Sequence, residues 1–333
     1  MALVGNARSQ IIDQSETDTQ AYKGVRSYVD LTPDELKAKI PDLQSLDFAI
    51  DKEKAQDELR VVLGHVGYNV QQFFQKIPDI VSREDIEMEC RWSDGTVERA
   101  RPQTFSYLAI SQSTQGALGL REYRTDATGK PVEPTGLREG VAVTRGFAST
   151  AILFYPAIRS DSSFRYLGRQ KLDGRETDVI AFAQRPGWAQ AAIRANVGGH
   201  SVQLLVQGLA WVDPTSYQII RLRTDLLAPR PEVGLASETT EINYQEVRFP
   251  EMTGISLWLP QEVTVVVERK IREKAANKVV SAELPGRDTM MARQSGSVPA
   301  SATGNALETV LTYRNTHHYS DYKLFSTKTQ IVY

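Results

Sequence analysis

The sequence predicts an α+β fold, mainly antiparallel β, in which N-terminal amphipathic helices cover a sheet. Apolar residues recur at steps of three and four between residues 55 and 77, which indicates a long helix. From about residue 82 the period changes to two, and β-branched and aromatic residues alternate with polar ones between turn signals. No helical pattern separates these strands, so a doubly wound parallel sheet is not expected.

Composition excludes several classes of function. The chain has 333 residues, with 39 Lys and Arg against 41 Asp and Glu, for a net charge of −2. Such a balance gives no general attraction to nucleic acid, and no nucleic-acid partner is expected. The longest apolar runs are shorter than the roughly 18 residues of a membrane-spanning helix, so no transmembrane segment is expected. Cys90 is the only cysteine, which excludes an intramolecular disulfide and a thiolate metal site.

The first 30 residues predict a flexible N-terminal tail. They are rich in Ser, Gln, Asp and Thr without a clear period. They also lack a basic segment followed by an apolar one, so they do not predict a secretory signal. We expect a single domain over residues 31–333, with a helical segment at 31–81 and an antiparallel sheet at 82–333.

Two helices are predicted in the helical segment. Thr32 can cap the first, Pro33 suits its first position and Glu35 can complete a capping box, so a short helix should end before Pro41. The second is the long amphipathic helix that closes at Pro78. Its apolar stripe consists of Ala55, Leu59, Val62, Leu63, Val66, Val70, Phe73, Phe74 and Ile77.

Turn signals divide the remaining sequence into strands. Asp173-Gly174 predicts a hairpin between residues 164–170 and 176–183. A second hairpin is expected to join a strand at 202–209 to one at 219–225 through the turn at 213–216. Pro260 must lie at a strand start, a bulge or an edge. Further strands are predicted at 239–249, 256–269, 308–319 and 328–333.

Residues 271–307 interrupt the strand pattern with a stretch rich in Lys and Ala and then in Ser, Gly and Ala. We expect a long mobile loop, and a lid over a ligand site is the functional alternative.

No catalytic constellation is recognisable, and no catalytic residue, metal site or cofactor is predicted. His317 and His318 would point to opposite faces of a strand, so one should pack under the sheet while the other meets solvent. His65 is expected on the helix surface. Ser320 and Lys323 match the S-x-x-K spacing, but the match is weak because the chain has no Lys-Thr-Gly.

Aromatic residues in or beside the predicted strands are the candidate ligand-binding residues. Core packing is the alternative, because the helix must cover one face of the sheet. A sheet curved around a helix can also leave an apolar cavity, where small ligands bind. The candidates for the wall of such a cavity are Phe154, Phe164, Tyr166, Phe182, Trp211, Tyr244 and Trp258.

Three segments resemble outer-membrane lipoprotein-sorting carriers and related lipid-sensing periplasmic regulators. They are GLAWVDPT at 208–215, IIRL at 219–222 and LWLP at 257–260. The resemblance covers about residues 160–333. It implies an unclosed β-barrel, that is, a curved half-barrel sheet over helices, with an apolar cavity that takes acyl chains. The N-terminal and closing segments are also similar to uncharacterised secreted bacterial proteins, for which no activity is implied.

Three functions remain open at this point. The first is binding of a lipid, a lipoprotein acyl chain or another apolar small molecule, without turnover, in the periplasm or cell envelope, as the resemblance implies. The second is an interaction or scaffold protein that contacts another envelope protein through sheet edges and the long loop. The third is a hydrolase with an unrecognised site. If the resemblance is set aside, the absence of a signal predicts a cytoplasmic protein.

Overall fold

A computed structural model describes residues 20–114, 117–132, 147, 150–189, 193–197, 200–250, 256–272 and 308–324. Helix α1 spans Pro33–Lys39 and helix α2 spans Lys52–Lys76. Short 3₁₀ turns lie at Pro41–Ser45, Thr150–Phe154, Arg159–Asp161 and Pro231–Val233. The strands are β1 (Asp47–Phe48), β2 (Ile80–Trp92), β3 (Val97–Arg99), β4 (Gln103–Thr114), β5 (Ala117–Thr125), β6 (Pro131–Val132), β7 (Ser162–Leu172), β8 (Arg175–Gln184), β9 (Ile193–Val197), β10 (His200–Leu204), β11 (Val206–Val212), β12 (Ile219–Leu226), β13 (Leu235–Arg248), β14 (Ser256–Arg272) and β15 (Glu308–Leu324).

The main sheet is antiparallel throughout and unclosed over the described residues, which confirms the predicted α+β class. Its order is β1-β7-β8-β11-β12-β13-β14-β15-β2-β4-β5-β6, and β3 pairs with the far end of β2. The sheet consists of two runs of neighbouring strands, one from β1 and β7 to β15 and the other formed by β2, β4, β5 and β6. The two runs join where β15 pairs with β2. Strands β9 and β10 form a separate two-stranded ribbon.

Helix α1 forms as the sequence predicts. The Thr32 hydroxyl accepts a hydrogen bond from the Glu35 backbone N–H at 3.3 Å. The Glu35 carboxylate in turn accepts one from the Thr32 backbone N–H at 2.7 Å, which completes the capping box. The helix ends at Lys39, before Pro41, as predicted.

Helix α2 covers what we call the inner face of the sheet. Asp51 caps its N-terminus by accepting hydrogen bonds from the backbone N–H groups of Glu53 and Lys54 at 2.9 and 3.1 Å. The predicted stripe is confirmed, and its fully buried members include Val62, Val66 and Phe74. No helix in the described residues is long and apolar enough to cross a bilayer.

The opposite, outer face is covered by residues 28–46, with Leu36, Ile40 and Leu43 fully buried against the sheet. Strands β7, β8, β11 and β12 therefore have an apolar layer on both sides. This double cover explains why residues 177–184 of β8 are buried without alternation.

The N-terminal region differs from the expected tail. Tyr22 and Tyr28 are buried. The Tyr22 hydroxyl donates to the carbonyl of Gln203 at 2.8 Å, and the Tyr28 backbone N–H donates to the side-chain oxygen of Gln207 at 2.8 Å. Tyr22 and Tyr28 thus attach this segment to β10 and β11. Residues 1–19 lie outside the described residues.

The strand predictions are mostly confirmed, with one correction. The hairpin at Asp173 and Gly174 forms, and both residues have positive φ, of 51° and 81°. The single strand expected at 202–209 is two strands, because the chain leaves β10 after Leu204 and enters the main sheet at Val206. Pro260 lies at a bulge between β13 and β14. Residues 273–307 and 328–333 lie outside the described residues.

Candidate functional site

A groove lies between the C-terminal half of α2 and the ends of β12, β13 and β14. It has a volume of about 290 Å³ and is open to solvent along one side. Its size and its largely apolar wall are typical of a small-molecule site at the lower end of the usual range. The lining residues are Val66, Asn69, Val70, Gln72, Phe73, Lys76, Ala151, Tyr217, Gln218, Ile219, Tyr244, Ser256, Leu257 and Trp258.

One wall of the groove is fixed by the turn between β11 and β12. Asp213 accepts hydrogen bonds from the backbone N–H groups of Thr215 and Ser216 at 2.9 and 2.7 Å, which shapes the turn. The Asn69 side chain of α2 donates to the carbonyl of Tyr217 at 3.0 Å. The ring of His65 stacks on that of Tyr217, with 4.2 Å between centroids. Helix and turn are therefore held together at this end of the groove.

The opposite wall carries a buried hydroxyl with no partner among the described residues, that of Tyr244. Burial raises the pKa of this phenol, so it stays protonated at neutral pH and can donate. A buried polar group without a hydrogen bond destabilises a protein by about 1–3 kcal/mol. The Tyr244 hydroxyl is closed off from solvent, so it is an unfavourable feature of this wall and not a contact that a ligand in the groove can reach.

Charge in the groove is confined to one residue. Lys76, in the last turn of α2, is exposed and is the one charged side chain among the lining residues. The other polar side chains of the lining are uncharged, and they are Asn69, Gln72, Gln218, Ser256, Tyr217 and Tyr244. The groove therefore offers an apolar wall with a single positive charge.

Two of the seven aromatic residues expected at a cavity, Tyr244 and Trp258, border this groove, but the Trp258 side chain packs against the outer-face core, as that of Trp211 does. Phe154 packs against Phe164 and Phe182 with centroid distances of 5.5 and 5.4 Å, within the core beneath α2. The structure thus places this trio under the helix and away from the groove.

The remaining two aromatic candidates lie elsewhere. The Tyr166 hydroxyl donates to Asp178 at 2.8 Å. Trp211 belongs to the outer-face core, where its indole N–H donates to the Gln170 side chain at 3.0 Å. An inner cavity would need residues of the inner face, so Trp211 cannot contribute to one.

Several lining residues were not among the candidates. Phe73 belongs to the predicted apolar stripe of the helix, and Tyr217 lies in the turn between β11 and β12, outside the predicted strands. Lys76 has no sequence signal beyond its position at the helix end. Only the packing of α2 across the strand ends brings these three residues together.

A second notable arrangement is a buried charged cluster, which we define as Glu84, Arg124, His317 and Tyr319. The Glu84 carboxylate accepts hydrogen bonds from Arg124 at 2.5 and 2.7 Å and from the Tyr319 hydroxyl at 2.7 Å. It also contacts the Nδ1 atom of His317 at 2.9 Å. The four residues come from β2, β5 and β15, and all are buried.

Burial and pairing set the protonation of this cluster. Burial acts to raise the pKa of Glu84, but hydrogen bonds from His317 and Arg124 outweigh it, and the pKa lies below its ordinary value. Burial lowers the pKa of His317, and the contact with Glu84 only partly offsets this. A carboxylate facing a neutral imidazole is therefore the state at neutral pH.

The histidine prediction is confirmed, because His317 is 0% exposed while His318 on the other face is exposed. His65 lies on the helix surface as expected. With His317 fully enclosed, the buried charged cluster is not open to a substrate. Among the described residues, no three His, Cys, Asp or Glu side chains are arranged to hold a metal ion.

No family model matches the chain, and no curated protein matches it. Solved structures that are similar to it include the following two. One is a DUF1329 family protein from Desulfovibrio piger, with a TM-score of 0.37 and 9% identity over 81% of this chain and 95% of that chain. The other is a putative outer membrane lipoprotein-sorting protein domain from Vibrio parahaemolyticus, with a TM-score of 0.38 and 10% identity over 84% of this chain and 96% of that chain.

Proposed function

We propose that this protein binds an apolar ligand in the groove between α2 and the ends of β12–β14. The observation that carries the proposal is the largely apolar lining of the groove, in which Lys76 is the one charged side chain. Ligand sites are typically apolar concavities with a few placed polar groups, and this groove has that composition.

Burial of apolar ligand atoms in the groove supplies the free energy of binding. Each methylene moved from water into the groove contributes about 0.8 kcal/mol. Binding alone needs no bond to break, and no lining residue is required to act as a nucleophile or base.

We further propose a lipid or lipoprotein acyl chain as the physiological ligand and the bacterial cell envelope as the place of action. The three segments similar to lipoprotein-sorting carriers support this part of the proposal. Extraction of the purified protein followed by mass spectrometry would detect a co-purified lipid.

An Ala151→Phe substitution tests the site. Ala151 lines the groove, so a phenyl ring there should occupy part of its volume. We expect the affinity for a fluorescent fatty acid to fall at least about tenfold, because the loss of two buried methylenes alone amounts to about 1.6 kcal/mol.

The matched control is Ala38→Phe, which places the same ring on the exposed face of α1. Its affinity should equal that of the wild type. Equal binding by both variants, or no binding of the probe by the wild type, would rule out the groove as the ligand site. The interaction-protein hypothesis would then be favoured.

A further inference from the structure

The dimensions and charge of the groove narrow the class of ligand, and this inference rests on the function proposed above. We infer that the groove takes one alkyl chain of about ten carbons that ends in an anionic group, which lies beside Lys76. The ligand class is thus a free, single-chain anionic amphiphile. This narrows the lipid proposed above, and it excludes both a lipoprotein acyl chain, which has no free anionic end, and a lipid with several chains.

The volume sets the number of carbons. A methylene group is close in size to a water molecule, whose share of liquid volume is about 30 Å³. The groove volume of about 290 Å³ therefore corresponds to about ten such groups. A second chain of similar length would need about twice that space.

The length of the groove agrees with this number. Its helical wall runs from Val66 to Lys76. At a rise of about 1.5 Å per residue, these ten steps span about 15 Å. An extended chain of the roughly ten carbons that the volume allows is shorter than this wall and fits along it. The groove length is thus compatible with the chain that the volume indicates.

The charge of the groove lining indicates the end group of the ligand. The lining residues include Lys76 and no carboxylate, so an anionic end meets a positive charge without a competing negative one. Lys76 also lies in the last turn of α2, where a cation interacts favourably with the helix carbonyls. A role confined to the helix would affect stability and would not distinguish ligands by charge.

Calorimetric titration of the full chain with alkyl compounds tests the inference. Decanoate should bind more tightly than decanol, and decyltrimethylammonium should bind least tightly. From hexanoate to decanoate the affinity should rise several-fold with each methylene, and it should stop rising beyond about ten carbons. Phosphatidylglycerol vesicles should not compete with decanoate.

The variant for the charge is Lys76→Glu, with Lys52→Glu at the other end of α2 as the exposed control. Lys76→Glu should weaken decanoate binding about tenfold and leave decanol binding within about twofold. Lys52→Glu should change neither. Thermal unfolding of both variants, without ligand, shows whether α2 remains intact.

The results distinguish failure of the inferred ligand class from failure of the proposed function. If no alkyl compound of any charge binds, the proposed function fails. If decanoate and decanol bind equally, if Lys76→Glu affects both alike, or if affinity keeps rising to hexadecanoate, apolar binding stands and the inferred ligand class is wrong. Competition by the vesicles would instead assign the site to a lipid with several chains.

Discussion

At the scale of single residues, several buried polar atoms lack hydrogen-bond partners among the described residues, and Tyr244 and Glu238 each carry one. Glu238, on β13, is set among Leu204, Val206, Thr224 and Leu226, and its Oε2 atom has no hydrogen-bond partner. Burial raises the pKa of this carboxyl to about 7, so it changes charge near neutral pH.

Replacing Glu238 with Gln should change how stability depends on pH. Because the folded-state pKa of about 7 lies above the ordinary value of 4.5, the stability linked to this carboxyl is complete below 4.5 and is lost as pH rises through 7. Above about pH 8, Glu238→Gln should therefore unfold at higher urea, with a gain of about 2 kcal/mol, and below about pH 4.5 the two proteins should be similar.

The control for Glu238→Gln is Glu176→Gln, an exposed position at the start of β8. Its urea midpoint should follow that of the wild type at every pH. A constant difference between Glu238→Gln and the wild type across the range would mean that this carboxyl does not titrate as described.

The sequence predicts the environment of some of these residues and not of others. Strand alternation alone predicts that one of His317 and His318 is buried and the other exposed, as the structure shows. The burial of Glu238 is not predicted, because a Glu on a strand carries no sign of which face its neighbours cover. For the same reason, the sequence does not show that Trp211 faces the side of the sheet opposite the groove.

At the scale of elements, local signals predicted local structures. The capping box, the apolar stripe and the Asp-Gly turn each specify a structure within a few residues, and all three are present. The division between β10 and β11 at Leu205 was missed. The alternating pattern runs through this position, whereas the change of hydrogen-bond partner depends on Gln184 and Tyr22, which are distant in sequence.

Strand β11 contains a glycine whose lack of a side chain lets neighbours approach closely. A Cβ atom on Gly208 would overlap the carbonyl oxygen of Arg223 on β12 and meet the ring of Phe182 on β8 at 2.7 Å. Gly208→Ala should therefore destabilise the protein by about 3 kcal/mol, measured by urea unfolding.

Gly64→Ala in α2 provides the contrast. No atom lies within 4 Å of a Cβ at this exposed helical position, so alanine should stabilise the helix by about 0.5–1 kcal/mol. Equal effects of the two substitutions would contradict the close packing around Gly208.

At the scale of the whole molecule, the pairing of β2 with β15 unites the two runs of strands into one sheet. The buried charged cluster lies across this pairing, because Glu84 on β2 binds Tyr319 and His317 on β15 and also Arg124 on β5. The sequence predicted the strands but gave no sign of this long-range pairing. Its partners are 235 positions apart, and no local pattern specifies which strand edges meet.

Removal of the Glu84 charge should weaken the protein strongly. Glu84→Gln leaves the Arg124 guanidinium buried without its carboxylate, and breaking a buried ion pair in this way typically costs about 3–5 kcal/mol. Urea unfolding at neutral pH measures the loss.

The neighbouring residue supplies the control. Asp85 points to the exposed face, where it pairs with Arg83 at 2.8 Å. Asp85→Asn should cost less than about 1 kcal/mol, since exposed ion pairs contribute little. A small loss for Glu84→Gln would show that the buried charged cluster does not hold the two runs of strands together.

The pairing of β2 with β15 also determines when the protein can fold during synthesis. Strand β2 emerges from the ribosome early, and its partner is translated more than two hundred residues later. At a translation rate of about 5–20 residues per second, the edge of β2 that pairs with β15 stays unpaired for roughly 10–50 seconds. During that interval the nascent chain exposes a strand edge that can pair with other chains, so folding in the cell is expected to depend on chaperones that protect such edges.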